Sequence, residues 1–157
     1  MASSETTDKK LATNRKAFRD YHILNKFEAG IELLGTEVKS IRAGHISLAG
    51  GFARVEKGQV FLYNINILPY ELGGHYNHEA DRKRRILLHK REIEKLTVQT
   101  EQKGHTIVPL SAYITRGIIK IELGLCKSKT HGDKRETLKR QTADREAQRA
   151  IAGARRR

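Results

Sequence analysis

Between Thr106 and Cys126 lie two runs of strand-forming residues, 106–114 and 118–126, that turn on Arg116-Gly117; in the second, Ile119, Ile121, Leu123 and Leu125 share one parity. A period of two buries one face of a strand, so this stretch is committed to an antiparallel pair. Further strands must complete the sheet. Tyr21, Ile23 and Phe27 share a parity, and after Glu28 the residues Ala29, Ile31 and Leu33 alternate with polar or small neighbours, which predicts two half-buried strands on either side of Glu28. Phe52-Ala53-Arg54-Val55 and Gln59-Val60-Phe61-Leu62-Tyr63 form a hairpin around Gly58, with strand character running on to Ile67 until Pro69 ends it.

Helical segments are short. Thr36 can cap a helix whose inner face carries Val38 and Ile41 and whose stop is Gly44, leaving Lys39 and Arg42 on the exposed side. A second helix, with Ile93 and Leu96 inward, extends to Glu101, while the glycine-rich stretch 73–78 between the hairpin and this helix is expected to be an exposed loop. Several short strands with few helices predict a mainly β chain, an OB-type antiparallel β-barrel.

The ends differ from this body. Residues 1–13 hold almost no large apolar side chain and are expected to be a flexible leader, with the barrel spanning 14–126. In the tail, 127–157, the part from Asp133 onward has nine Lys or Arg against four Asp or Glu, with Leu138 and Ile151 its only large apolar residues. A helix that is polar all round has no stripe to bury, so the tail is expected to be disordered when free and helical only on a partner.

Charge narrows the function. Among 157 residues, 31 are Lys or Arg and 18 are Asp or Glu, a net charge of +13, which points to a polyanionic partner. No apolar run approaches the length of a membrane span and the opening Met-Ala-Ser-Ser-Glu-Thr-Thr has no apolar segment for export, so no membrane partner and a cytoplasmic location are expected. The single Cys126 excludes an intrachain disulfide and a multi-thiolate zinc site. The densest local field is 82–91, where Arg82, Lys83, Arg84, Arg85, Lys90 and Arg91 stand together without an acid. Like charges in such proximity repel unless a polyanion relieves them, which favours phosphate binding. Asn14-Arg15-Lys16 adds two cations and an amide able to read a base edge or ribose. Glu28 either closes a surface ion pair or accepts hydrogen bonds from base amino groups and ribose hydroxyls.

Catalytic alternatives are weaker. His75, His78, Glu79 and Asp81 could be drawn as a metal-dependent nuclease site, but their spacing fits no zinc motif; Cys126 and His131 lack an orienting acid. No metal, cofactor or catalytic residue is expected.

Taken in order, Asn14-Arg15-Lys16-Ala17, Phe27-Glu28-Ala29-Gly30-Ile31, 35–44, Pro69-Tyr70-Glu71, Asn77-His78, Arg85-Ile86-Leu87-Leu88-His89-Lys90 and Asp133-Lys134-Arg135 resemble the SmpB family, the SsrA-binding proteins of trans-translation. The resemblance implies an OB-type barrel that binds the tRNA-like domain of tmRNA (SsrA RNA) and brings it to stalled ribosomes. It implies an RNA-facing surface drawn from Asn14, Arg15, Lys16, Glu28, Lys39, Arg42, Leu87 and His89, to which the basic cluster adds Arg84, Arg85 and Lys90. By the same analogy Lys127, Lys129, His131, Asp133, Lys134, Arg135, Lys139 and Arg140 would meet the small-subunit decoding centre and the empty mRNA channel. The chain departs from the family pattern at Arg19, at Gly50-Gly51-Phe52 and at Gly132, where His131 is expected to substitute for the usual stacking residue. With no apolar stripe left over, the free protein is expected to be a monomer.

Overall fold

Nine strands form in a computed structural model that describes residues 9–102, 104–129 and 131–155. They are β1 (Lys9–Thr13), β2 (Tyr21–Ile31), β3 (Ile46–Ser47), β4 (Phe52–Glu56), β5 (Gln59–Tyr63), β6 (Asn66–Ile67), β7 (Arg84–Leu87), β8 (His105–Thr115) and β9 (Ile118–Ser128). Helices α1 (Arg15–Asp20), α2 (Gly35–Arg42), α3 (Lys90–Thr100) and α4 (His131–Arg155) are set among and after them.

Seven strands make one antiparallel sheet in the order β1-β8-β4-β5-β7-β2-β9, and β8 also pairs with β9, so the sheet curls back on itself; β3 and β6 pair separately. The curl encloses the core, where Ile119, Ile121, Leu123 and Leu125 of β9 meet Val60 and Leu62 of β5, Ile86 of β7 and Leu96 of α3. The alternation in 118–126 thus marks the inward face. Its hairpin turn holds Arg116 at φ 51° and Gly117 at φ 74°, and the β4–β5 turn holds Lys57 at φ 49° and Gly58 at φ 75°. Left-handed φ at both central residues gives the turn twist that suits a two-residue hairpin.

Four expectations are corrected. Residues 9–13 are not a loose leader: β1 lies along β8, opposite Ser111 to Ile114, and half-buries Leu11 against the core. The reason is that β8 bonds to β4 only at Ala53↔Ile107, which leaves the rest of its edge for another strand. Residues 1–8 lie outside the described residues. Second, Glu28 is inside one continuous strand rather than between two, because β2 pairs with β9 from Tyr21 to Gly30, with one bulge between Ile23 and Asn25. Third, α2 starts one residue before Thr36, at Gly35, with Leu34 as its N-cap; the Glu37 carboxylate accepts the Leu34 N–H at 2.8 Å. Gly44, at φ 85°, follows its end as expected. Fourth, the 73–78 loop contains a 3-10 turn, and His78 at its end is buried.

The inner parity of β8 and β9 leaves out a second cluster. Val108, Leu110 and Cys126 are buried with Ala17 beneath α1, which covers the outer face of the sheet at that end. Leu110 is the extra residue of a bulge between Pro109 and Ser111, and a bulge is where a strand accommodates a proline such as Pro109.

Candidate nucleic-acid interface

The cation-rich strand does two different things. Along β7 the side chains alternate, so Arg84 and Ile86 turn inward while Arg85 and Leu87 turn outward. Arg84 is fully buried and its guanidinium is spent on protein: Nε donates to the Glu37 carboxylate, Nη1 to the Arg82 carbonyl at 2.8 Å and Nη2 to the Ala80 carbonyl at 3.2 Å. Arg82 Nη2 holds the other oxygen of Glu37 at 2.5 Å. Burial alone would raise the Glu37 carboxyl, but the Arg82 hydrogen bond, the Leu34 N–H and Arg84 outweigh it and hold the group below its ordinary value. Arg84 is therefore withdrawn from the RNA-facing set. A buried guanidinium without its carboxylate would be strongly unfavourable, which is why the two are tied.

Asn14 is withdrawn for a similar reason. It is 3% exposed, its Nδ2 donates to the carbonyls of Leu48 and Pro109, and its Oδ1 accepts the Ala17 N–H as the N-cap of α1. Its amide reads backbone, not a base edge.

Other predicted residues converge. Glu28 of β2, Leu87 of β7 and His89, the N-cap of α3, line one open groove of about 460 Å³ with Gly30, Ile118 and Lys120. Register explains the meeting: Glu28 stands opposite Glu122 and Gly30 opposite both Lys120 and Leu87, all pointing outward. Gly30 keeps the floor open, because a Cβ there would lie 3.3 Å from that of Leu87. Leu87 and Ile118 remain 48% and 56% exposed, an apolar wall against which a base or ribose could rest. The Tyr113 hydroxyl donates to Glu28 and fixes its carboxylate at the rim.

Two cations adjoin this groove, Arg42 beside Ile118 and Lys90 beside His89, with Lys39 and Arg85 further out. Arg42 Nη2 donates to the Gly117 carbonyl at 3.3 Å, bringing the end of α2 to the β8–β9 turn beside Ile118. Lys39 stands one turn earlier with its Nζ 5.3 Å from the centre of the Tyr70 ring. Exposed Lys90 opens α3, and exposed Arg85 pairs with Glu32 at 2.8 Å. Gly30, Tyr113, Ile118 and Lys120 were missed in the sequence, where only their outward parity on three separate strands hints at a shared face.

Arg15 and Lys16 lie elsewhere. They are exposed on α1, at the Cys126 end of β9, and Lys120 is about 20 Å from Cys126 at the usual strand rise. Lys129 belongs to that end too: its Nζ donates to the Phe18 carbonyl at 3.3 Å and to Thr137 Oγ1 at 2.7 Å, joining α1 to α4. Lys127 is exposed beside it, as are Arg135, Lys139 and Arg140 on α4. The side chains of His131, Asp133 and Lys134 lie outside the described residues. The chain thus has a groove at one end of the β8–β9 ladder and a basic helix at the other.

The catalytic alternatives do not assemble. Thr36 and the Ile67 carbonyl take the two ring nitrogens of His78 at 2.9 Å each, and among the described residues no three His, Cys, Asp or Glu side chains come close enough to hold a metal ion. Burial pushes the Cys126 thiol up to about 11, which keeps it protonated near neutrality. Among the described residues no helix is long and apolar enough to cross a membrane.

This architecture defines a mainly β class, with a large antiparallel sheet, a few short helices and a strongly basic surface. The family described as "SmpB protein" matches residues 11–153. Relatives named SsrA-binding protein include one from Shouchella clausii, 55% identical over 94% of this chain and 95% of the relative, and one from Carboxydothermus hydrogenoformans, 53% identical over 92% and 97%. A solved structure described as "tmRNA-SmpB: a journey to the center of the bacterial ribosome" superposes with a TM-score of 0.65 at 47% identity, covering 81% of this chain and 93% of that one. The chain belongs to the SmpB family.

Proposed function

We propose that this protein binds the tRNA-like domain of tmRNA and is required for its stable association with stalled ribosomes, so that trans-translation rescues the ribosome and tags the incomplete polypeptide for proteolysis. The observation that carries this reading is the groove in which Glu28, Leu87 and His89, distant in sequence, meet beside Arg42. Its mixture of carboxylate, apolar wall and flanking cations suits a shaped, structured RNA better than phosphate alone. The names of the relatives and the ribosomal setting of the similar structure support the same partner. The protein makes and breaks no bond; it acts in the cytoplasm as a monomer until it meets RNA.

On this reading the sheet is an OB-type barrel that supplies RNA affinity, with the body running from β1 through β9. The tail acts separately. Off the ribosome it exchanges between helix and disorder, since α4 offers no apolar stripe to bury. On the ribosome Lys127, Lys129 and the segment from His131 through Arg140 meet the decoding centre, and the helix follows the empty mRNA channel. The 25 residues of α4 reach roughly 37 Å as helix, long enough to report whether mRNA is present.

Competition at one fixed salt concentration tests the proposal, with labelled tRNA-like domain challenged by bulk tRNA. Strong preference for the tmRNA domain is expected. Equal displacement by tRNA would reduce the protein to a general RNA binder, because counterion release makes any basic chain bind tightly at low salt.

A further inference from the structure

The β4–β5 hairpin keeps the alternation of burial that a half-buried strand pair should show but not the alternation of polarity. Its inner face carries Ala53, Val60 and Leu62, all buried, yet its outer face carries Phe52, Phe61 and Tyr63, all partly exposed. An outer sheet face open to water is ordinarily polar. Here three rings occupy it. Phe52 and Tyr63 stand opposite each other and stack, with centroids 5.4 Å apart and planes within 14°.

What lies over the rings is cationic. The Arg54 guanidinium sits 5.1 Å from the Phe52 centroid and 6.0 Å from that of Tyr63, while Lys83 Nζ sits 4.0 Å from Phe61 and 5.2 Å from Tyr63. Glu56 fixes the arrangement: it accepts the Tyr63 hydroxyl and binds Lys83 Nζ at 2.8 Å. That bond network raises Lys83 above its ordinary value, so the ammonium stays charged. Arg54 and Lys83 are exposed, so an RNA strand can draw them off the rings toward its phosphates, which frees the faces of Phe52 and Phe61 for bases, while the Arg54 guanidinium is itself a plane on which a base can stack.

We infer that the outer face of the β4–β5 hairpin is a second RNA site, a stacking platform for an unpaired strand. It is separate from the groove and takes different RNA: successive unstacked bases on Phe52, Phe61 and Arg54, in place of a shaped helical domain. The two sites share β7, whose outward Arg85 stands opposite Phe61 and whose outward Leu87 stands opposite Gly30. A strand leaving a structured RNA in the groove therefore meets the platform on the next two strands of the same sheet. Charge favours RNA over a protein segment, since Arg54, Lys57, Lys83 and Arg85 outnumber the two carboxylates nearby, Glu56 and Glu32, in a chain of net charge +13.

The test uses the full chain and two probes, a fluorescently labelled single-stranded oligouridylate and the isolated tRNA-like domain, at physiological salt. Replacing Phe52 and Phe61 together by Leu keeps apolar bulk on the sheet but removes the π faces. Oligouridylate binding should fall roughly 5- to 100-fold for each base that loses its ring, with the tRNA-like domain bound as before. Replacing the same pair by Tyr should retain oligouridylate binding, and Arg42→Ala should weaken only the structured probe. Wild-type protein that ignores oligouridylate, or Leu and Tyr variants that weaken it equally, would overturn the platform whatever happens at the groove. Failure of the structured probe alone would count against the groove and leave the platform standing.

Discussion

At the scale of single residues, Glu37 gathers three separate donors onto one buried carboxylate. It bridges two arginines and the start of α2, and its pairing with the two guanidinium groups needs the carboxylate ionised. Glu37→Gln should destabilise the protein by about 3–5 kcal/mol in denaturant unfolding near neutral pH, the usual consequence of leaving a buried charge unpaired. The sign with pH follows from the lowered carboxyl. Its stabilisation is fully present above the ordinary value of 4.5 and is lost as pH falls through the depressed folded value. Acid titration of the wild type should therefore lose stability below pH 4.5, and the Gln variant should lack that component. Cys126 gives a second residue-scale expectation. With its thiol buried and raised to about 11, it should not react with a thiol reagent in the native protein at neutral pH, and should react at once in denaturant.

At the scale of elements, the proposed RNA face depends on how α2 is fastened. The Glu37, Arg82 and Arg84 cluster ties the helix to β7, and Ser40 Oγ donates to the Leu68 carbonyl at 2.5 Å, so the exposed side that carries Lys39 and Arg42 has a fixed direction. Arg42→Ala should weaken binding of the tRNA-like domain and reduce the slope of log K against log salt by about one, with thermal stability nearly unchanged. Gly30→Ala acts on shape instead of charge: its methyl would crowd Leu87 and narrow the groove, so affinity should fall while the salt slope stays the same. A groove that binds by charge alone would give the opposite pattern. The tail is a different kind of element. A helix of 25 residues that is exposed along nearly all its described length depends on propensity and on its tie through Lys129, so circular dichroism of the free protein should melt it well below the sheet.

At the scale of the whole molecule, groove and tail occupy opposite ends of the β8–β9 ladder, and on the proposed reading this separates affinity from ribosome sensing. Deleting 133–157 should leave affinity for the tRNA-like domain nearly intact and abolish tagging of stalled polypeptides in a reconstituted translation system. A large loss of binding would make the tail a phosphate clamp. Much of this plan was legible in the sequence. Alternation in 118–126, the Gly58 and Gly117 turns and the polar tail are local patterns, and local sterics and hydropathy decide them wherever the rest of the chain lies. The convergence of Glu28, Leu87 and His89 was implied by resemblance, but parity alone could not bring two strands and the start of α3 to one groove. Arg84 and Asn14 mark the limit most clearly. A cation among five others and an amide beside two more look like surface chemistry in one dimension, and only the closing of α2 over β7, and of α1 over β8, takes them out of water. Local pattern and composition determined that this chain would be a basic sheet protein with a polar tail, because alternation, turn chemistry and charge are properties of neighbouring residues. Which of its charges face RNA was decided by tertiary structure, because a buried charge needs a partner that only long-range packing can bring to it.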